Sequence, residues 1–556
     1  MSAYRILIVS DARPARAWKL AKRIRREIAD AEICGVVQST PRETGCFSKF
    51  NLPFQSLFTQ LVHSALWWIH GCPSLTNSEE CRVANSAREC GEIACPTLYT
   101  DELNDSNVLN FVADQQPDLA ISIGDNSLCG KLLAIPRCGW LRAVQRVVQD
   151  SLNNKPAIEI EIESLANGSE CPVTIAKLNL PMQPFDGFTG RTLKTDLISD
   201  DLTVQCATHL LRTNLHHAAN AAADWTQEIF SPYLEQLTWE EFASHEGSSN
   251  LERHRSTWKL FLDTLVLCSP MIVGRNWYRR LRHRYPVTIL THHLVSDRPH
   301  RMGISTECFL RQVRFLQRHY RIVSLTEAVE LVKSGRVESP TAVITFDDGY
   351  ADNFVSLRAV MEETGIPVTL FVATQQVEEQ KEFQHDIENS IRGFFPLTWQ
   401  QIRYWIAGRV EFEAHTRTHF DCGTTERSKL EYEIVGSRND LERQIGMPVK
   451  FFAFPFGQQE NMSKEAVEIV KSCYSSFVSG FGGENSCRRE KSNQHLLRKN
   501  LYANAWEQEL DLQSVFDLVD GIKQKLRHWR SRAYGAPRGL HPLLAGSAAD
   551  TVLKQN

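Results

Sequence analysis

The chain contains no Cys-x-x-Cys pair, and its 15 cysteines are odd in number and irregularly spaced along 556 residues. A disulfide framework or a zinc ribbon is therefore not expected, and the thiols fit a reducing compartment. No apolar run approaches the ~20 residues that a membrane span needs. Met1-Ser2-Ala3-Tyr4-Arg5 leads directly into a strand pattern at Ile6, without the charged and apolar regions of a secretory signal. The expected location is cytoplasmic. An excess of positive charge is also lacking: the formal net charge is −4, which argues against nucleic acid as a partner of the whole chain. No Gly-x-Gly-x-x-Gly follows the first strand, so a dinucleotide site has no support.

What is present is ordinary for a soluble globular protein, with 42% hydrophobic and 23% charged residues. The length exceeds one core, so two or three domains are expected. The most informative stretch is Thr341-Ala342-Val343-Ile344-Thr345-Phe346-Asp347-Asp348-Gly349-Tyr350. Its first half reads as a buried parallel strand and its second half as a turn. Catalytic groups in α/β folds collect at the carboxyl ends of strands. Alternation along a strand points Asp347 and Asp348 in different directions, which suits one metal ligand and one free base.

A second strand-like segment, Val410 to Ala414, runs into His415-Thr416-Arg417-Thr418-His419. A helical continuation would bring His415 and His419 to one face, one turn apart. With one carboxylate they make a three-ligand site for a divalent metal with an open position for water. Thr416 follows the first histidine where the zinc-protease signature has Glu, so the base must come from elsewhere, and Asp347 can serve. Glu413 shares a face with His415 by alternation and is expected either to bind the ligand or to face solvent.

Thr345 to Tyr350 and His415 to His419 resemble the first two motifs of the polysaccharide deacetylases, also called NodB-like, and Ala453-Phe454-Pro455-Phe456-Gly457 looks like a variant third motif. The resemblance spans roughly 285–515. It implies a distorted (β/α) barrel with fewer than eight strands. Asp348, His415 and His419 would hold a divalent ion, zinc first, with cobalt or nickel as alternatives, and Asp347 would be the general base. The implied substrate is an N-acylated amino-sugar glycan: a polysaccharide, an oligosaccharide or a lipid-linked form. The acyl group is acetyl, with formyl as the alternative. The oxyanion and substrate side falls to Phe456, Pro455 and Tyr350. Either His293, at the end of the first barrel strand, or His495 could be the general acid. The family's third motif often carries an arginine that orients the base, and Phe451 to Gly457 has none.

The order of elements from 1 to about 225 resembles a formyltransferase of the formyltetrahydrofolate-dependent type, a Rossmann-like domain. Its Asn-x-His strand reads Gly139-Trp140-Leu141-Arg142-Ala143-Val144 here, with Arg142 and Val144 at the two chemical positions. Valine neither donates nor accepts a hydrogen bond, so this domain is expected to be inactive and retained for binding or scaffolding. Asp186 lies in the downstream loop. The expected class is α/β throughout, divided into 1–225, a helical connector 226–284, the barrel 285–515 and a basic tail 516–556. Within 253–286, apolar residues flanked by arginines predict either a helical hairpin bridging two domains or an interfacial segment attracted to anionic lipid. The competing reading for the whole chain is a non-catalytic carbohydrate-binding or scaffold protein of envelope glycan assembly.

Overall fold

The computed structural model describes residues 3–10, 14–39, 93, 95–124, 128–149, 156–165, 172–237, 257–480, 482–485, 494–502 and 504–519. Of the expected basic tail 516–556, residues 516–519 are helical, with Phe516 packed in a buried cluster; residues 520–556, with Arg253 and Arg255, lie outside the described residues.

The first sheet has seven strands: β1 (Tyr4–Ser10), β2 (Ala31–Ser39), β3 (Thr97–Thr100), β4 (Leu119–Ile123), β5 (Trp140–Gln149), β6 (Pro156–Leu165) and β7 (Val173–Pro181). Their order is β3-β2-β1-β4-β5-β6-β7. The first five are mutually parallel, as the Rossmann-like reading requires. β1 sits centrally, and its Ile6-Leu7-Ile8-Val9 run is buried on both faces, the pattern of a covered parallel strand. β6 and β7 extend the sheet as antiparallel strands. On β6, Ile158, Ile160 and Ile162 alternate with Glu159, Glu161 and Glu163. The glutamates form a cross-strand ion-pair ladder with Lys177, Arg146 and Arg142. Arg142 is thus tied to Glu163 at 2.5 Å, and Val144 is buried.

The second sheet contains β8 (Val287–His292), β11 (Arg321–Ile322), β12 (Thr341–Phe346), β13 (Val368–Val372), β14 (Val410–Ala414), β15 (Phe451–Ala453), β16 (Ser476–Val478), β17 (His495–Leu496) and β18 (Arg498–Asn500); a separate pair is β9 (Leu294–Val295) with β10 (Gly303–Ile304). Its path is β17-β16-β15-β14-β13-β12-β8-β18, with every pairing parallel. β17 and β18 are successive pieces of one segment, one on β16 and the other on β8. They close the sheet on itself, giving the distorted (β/α) barrel.

The helix Phe188–Arg212 lies between the two sheets and is buried nearly all round, as expected of a helix with packed neighbours on both sides. Its polar residues are neutralised locally. Lys194 bridges Asp186 and Asp297. Asp201, completely buried, joins Arg23 of the first unit to Arg358 of the second. Asp186 also accepts from the Gln183 backbone N–H at 2.8 Å, so it is a turn and ion-pair residue. The next helix, Leu215–Leu237, runs unbroken through residue 225. One hydrophobic cluster continues from Ile6 and Ile121 through Ile198, Leu202 and Phe230 to Phe346 and Phe354.

Candidate metal centre

The site is built where β12, β14 and β15 end. β12 stops at Phe346, and the backbone then enters the left-handed region at Asp348 (φ 68°) and Gly349 (φ 83°). A Cβ at Gly349 would lie 2.7 Å from Val372 Cγ1, so glycine is required there. This sharp turn separates the two carboxylates. Asp347 turns toward β18 and Asp348 toward the end of β14.

His415 Nε2 lies 3.4 Å and His419 Nε2 3.2 Å from Asp348 Oδ1. The three candidate ligand atoms all fall within 4.8 Å of one another. His415 Nδ1 is 2.8 Å from the Ala453 carbonyl oxygen. A proton on Nδ1 makes that bond and leaves the Nε2 lone pair facing Asp348, the outer-sphere arrangement typical of metal-binding histidines. Both Asp348 oxygens are buried and have no hydrogen-bond donor among the described residues. Burial opposes its charge, but the imidazoles of His419, His415 and His293 hold its carboxyl well below the usual range. Two imidazole nitrogens and one buried, donor-free carboxylate fit a divalent cation.

The expected helical turn between the two histidines is not formed. Thr416 (φ 61°) and His419 (φ 58°) both have left-handed backbone, and a tight turn brings the rings to 5.1 Å. Glu433 holds this turn: its Oε2 accepts the Arg417 and Thr418 N–H groups at 2.9 Å each. Glu413 is neither ligand nor solvent-facing. It is buried and accepts the Lys450 and Phe451 N–H groups at 2.8 and 2.7 Å, tying β14 to β15.

The arginine that the third motif lacks comes from β18. Arg498, fully buried, donates both terminal nitrogens to the two oxygens of Asp347 at 2.7 Å each. Burial raises the Asp347 pKa, but the guanidinium outweighs it and holds the group below its ordinary value. Asp347 is therefore an aimed, ionised carboxylate next to the ligand cluster. Sequence reasoning missed Arg498 because nothing near it marks a motif.

His293 faces the same site. Burial lowers its pKa, and the charges acting on it are Asp348, Asp347, Arg498 and His415. His495 does not: it lies 2.9 Å from Ser479 Oγ, stacks on Phe477, and has Lys471 as its charged neighbour. Its expected place as general acid is corrected on this ground. Phe456 is half-exposed, has φ 59°, and its ring lies 4.8 Å from that of His419; Pro455 is buried. Tyr350 is not at the substrate surface as expected. It is fully buried, donates to Asp386 Oδ2 at 2.7 Å, and its hydroxyl lies 2.9 Å from His385 Nε2. His385 was not anticipated. Its Nε2 is 3.8 Å from Asp348 Oδ2 and its ring 5.0 Å from that of His419. Burial, with His419 and His293 nearby, lowers its pKa to about 4 despite Asp348 and Asp386.

The polysaccharide deacetylase family model matches residues 334–474. The Bacillus subtilis (strain 168) protein YxkH, which is named after the same family, is 22% identical over 182 residues, covering 32% of this chain and 60% of that protein. Among solved structures, the Streptococcus pyogenes deacetylase PplD in complex with acetate is similar at 18% identity and a TM-score of 0.36, over 41% of this chain and 99% of PplD. Glycinamide ribonucleotide transformylase 1 from Geobacillus kaustophilus is similar at 11% identity and a TM-score of 0.24, over 38% of this chain and 97% of that one. Both sequence motifs and the strand ends that carry them fall inside the matched segment, and on that basis residues 334–474 are a polysaccharide deacetylase domain.

Proposed function

We propose that the chain is a metal-dependent hydrolase that removes an N-acyl group from an amino sugar. The observation that carries this reading is the juxtaposition of the Asp348–His415–His419 cluster with an arginine-held Asp347. The three cluster residues would hold the divalent ion, zinc first, with cobalt or nickel as alternatives. When bound, the ion supplies polarisation of the amide carbonyl and a lowered pKa for water, to roughly 7. Asp347 takes the proton of the attacking water on a carboxylate oxygen. His293 gives a proton to the departing amine nitrogen as the C–N bond breaks. The products are a carboxylic acid and a free amino sugar. The Phe456 backbone N–H is the proposed partner of the developing oxyanion.

The acyl group is acetyl, with formyl as the alternative. The formyltransferase-like character of 1–225 supports formamido chemistry by analogy alone. We assign that unit a binding or scaffolding role, because Arg142 and Val144 replace its proton-transfer groups. The substrate glycan is a polysaccharide, an oligosaccharide or a lipid-linked form.

The test is release of acetate and formate from N-acylated amino-sugar oligomers by chelated protein resupplied with zinc, cobalt or nickel, beside Asp347→Asn. Metal-dependent release that the variant loses is the expected result, and the acid released names the acyl group. Absence of release with every metal, from protein that binds metal, would favour the carbohydrate-binding alternative.

A further inference from the structure

The two helices that precede the barrel, Thr257–Leu267 and Pro270–Arg282, carry apolar residues on both their inner and their outer sides. Asp263 and Asn276 are buried, at 6% and 8% exposure. Asn276 donates to Gln513 Oε1 at 2.7 Å. On the outer side of the first helix stand Trp258, Phe261, Leu262 and Leu265, with Trp258 69% exposed and stacked on Phe261. On the outer side of the second stand Met271, Trp277, Tyr278 and Leu281, the last 74% exposed. The inner side does have a core: Leu260, Leu267 and Ile272 pack with Leu510, Val515 and Phe516. The outer apolar side is therefore additional to what the fold needs, and exposed contiguous apolar surface marks an interaction site.

The charge on this hairpin has one sign. From 257 to 284 the sequence holds Lys259, Arg275, Arg279, Arg280, Arg282 and Arg284 against Asp263 alone; Asp263 is buried, Arg279 is paired with Glu484, Arg275 donates to the Gln513 carbonyl at 2.7 Å, and Arg282 and Arg284 stand exposed at the end of the hairpin. Two of these arginines sit beside the exposed aromatics, Arg280 at 5.4 Å from the Trp277 ring and Arg282 at 5.9 Å from the Tyr278 ring. Aromatic rings with adjacent cations fit the headgroup level of a bilayer, while Leu262, Leu265, Met271 and Leu281 need hydrocarbon. Nucleic acid offers the charge without the hydrocarbon. A second copy offers the apolar surface but opposes cations with cations. No helix among the described residues is long and apolar enough to cross a membrane, so a hairpin of this kind lies in the interface plane.

We infer that the hairpin 257–284 is a docking surface for an anionic lipid bilayer and seats the barrel on a membrane. The inference is independent of the proposed deacylation. The experiment is co-sedimentation of the full chain with vesicles of phosphatidylcholine alone or mixed with phosphatidylglycerol, with light scattering of the free protein. The wild type is expected to bind the anionic vesicles at least roughly tenfold more tightly, and less so as salt rises. Arg282→Gln with Arg284→Gln loses that preference. Leu265→Ser with Leu281→Ser loses binding to both vesicles. No binding of wild type to either vesicle overturns the inference, and that arm depends on no variant. Equal binding to both overturns the anionic assignment. A wild-type dimer that Leu265→Ser with Leu281→Ser dissolves, without vesicle binding, reassigns the face to a second copy.

Discussion

Asp347 owes its charge and its aim to an arginine 151 positions later in the chain. A two-pronged guanidinium–carboxylate pair fixes direction as well as charge, and lysine cannot reproduce it. Arg498→Lys is therefore expected to lower kcat by on the order of 10²-fold, within the usual contribution of general base catalysis. Metal content should be unchanged, because Asp348, His415 and His419 do not touch Arg498 in any described hydrogen bond. Steady-state kinetics beside elemental analysis checks this, and an unchanged kcat would remove Arg498 from the account. At this scale legibility in the sequence depended on adjacency. Asp347 and Asp348 are neighbours and His415 and His419 are four apart, so their spacing carried chemical meaning. Arg498 and His385 come from segments without a repeat or spacing, and only folding brings them to the carboxylates. Tyr350 was misread for a related reason: its position in the motif is legible, but whether its ring faces substrate or His385 and Asp386 is set by packing against Phe383 and Phe394.

The strands and helices follow from local pattern: Thr341–Phe346 and Val368–Val372 are apolar runs bounded by turn residues, and Leu325–Ser334 ends on Gly335 at φ 71°. The turn between the metal histidines was not legible, because its stabilising acceptor, Glu433, lies 16 residues after Arg417, within the helix Arg427–Ile445. The carboxylate satisfies two backbone donors that a helix would otherwise have used. Another buried carboxylate makes stability depend on pH. Glu509, in the helix Ala505–Leu512, is buried with one oxygen lacking a donor among the described residues, and burial raises its pKa from the ordinary 4.5 to about 8. Between those values the folded state binds more protons than the unfolded state, so stability is full at the acid end and falls as pH rises. The slope is at most about 1.4 kcal/mol per pH unit. Glu509→Gln should match wild type near pH 4.5 and exceed it increasingly toward pH 8 in urea denaturation. A pH-independent difference between the two would contradict the assignment.

For the molecule as a whole, the two sheets share one continuous core, and the polar clasp of Arg23, Asp201, Arg358 and Tyr404 lies at their junction. Removing one member of a buried ion cluster leaves the others charged and unpaired, at a cost of about 3–5 kcal/mol. Asp201→Ala should therefore destabilise the chain by that amount in denaturant unfolding, although Asp201 belongs to neither metal site nor base. A loss below about 1 kcal/mol would mean that the junction tolerates water. The sequence order made both α/β units legible, but not their joint core, because the contacts of helix Phe188–Arg212 with the barrel are all long-range. Whether Asp348, His415 and His419 together bind a divalent ion is decided by equilibrium dialysis of zinc against wild type, Asp348→Asn and His419→Gln. One tightly held ion per wild-type chain, lost or weakened by roughly 10-fold or more in each variant, is the predicted result. Equal zinc content in all three proteins would contradict it.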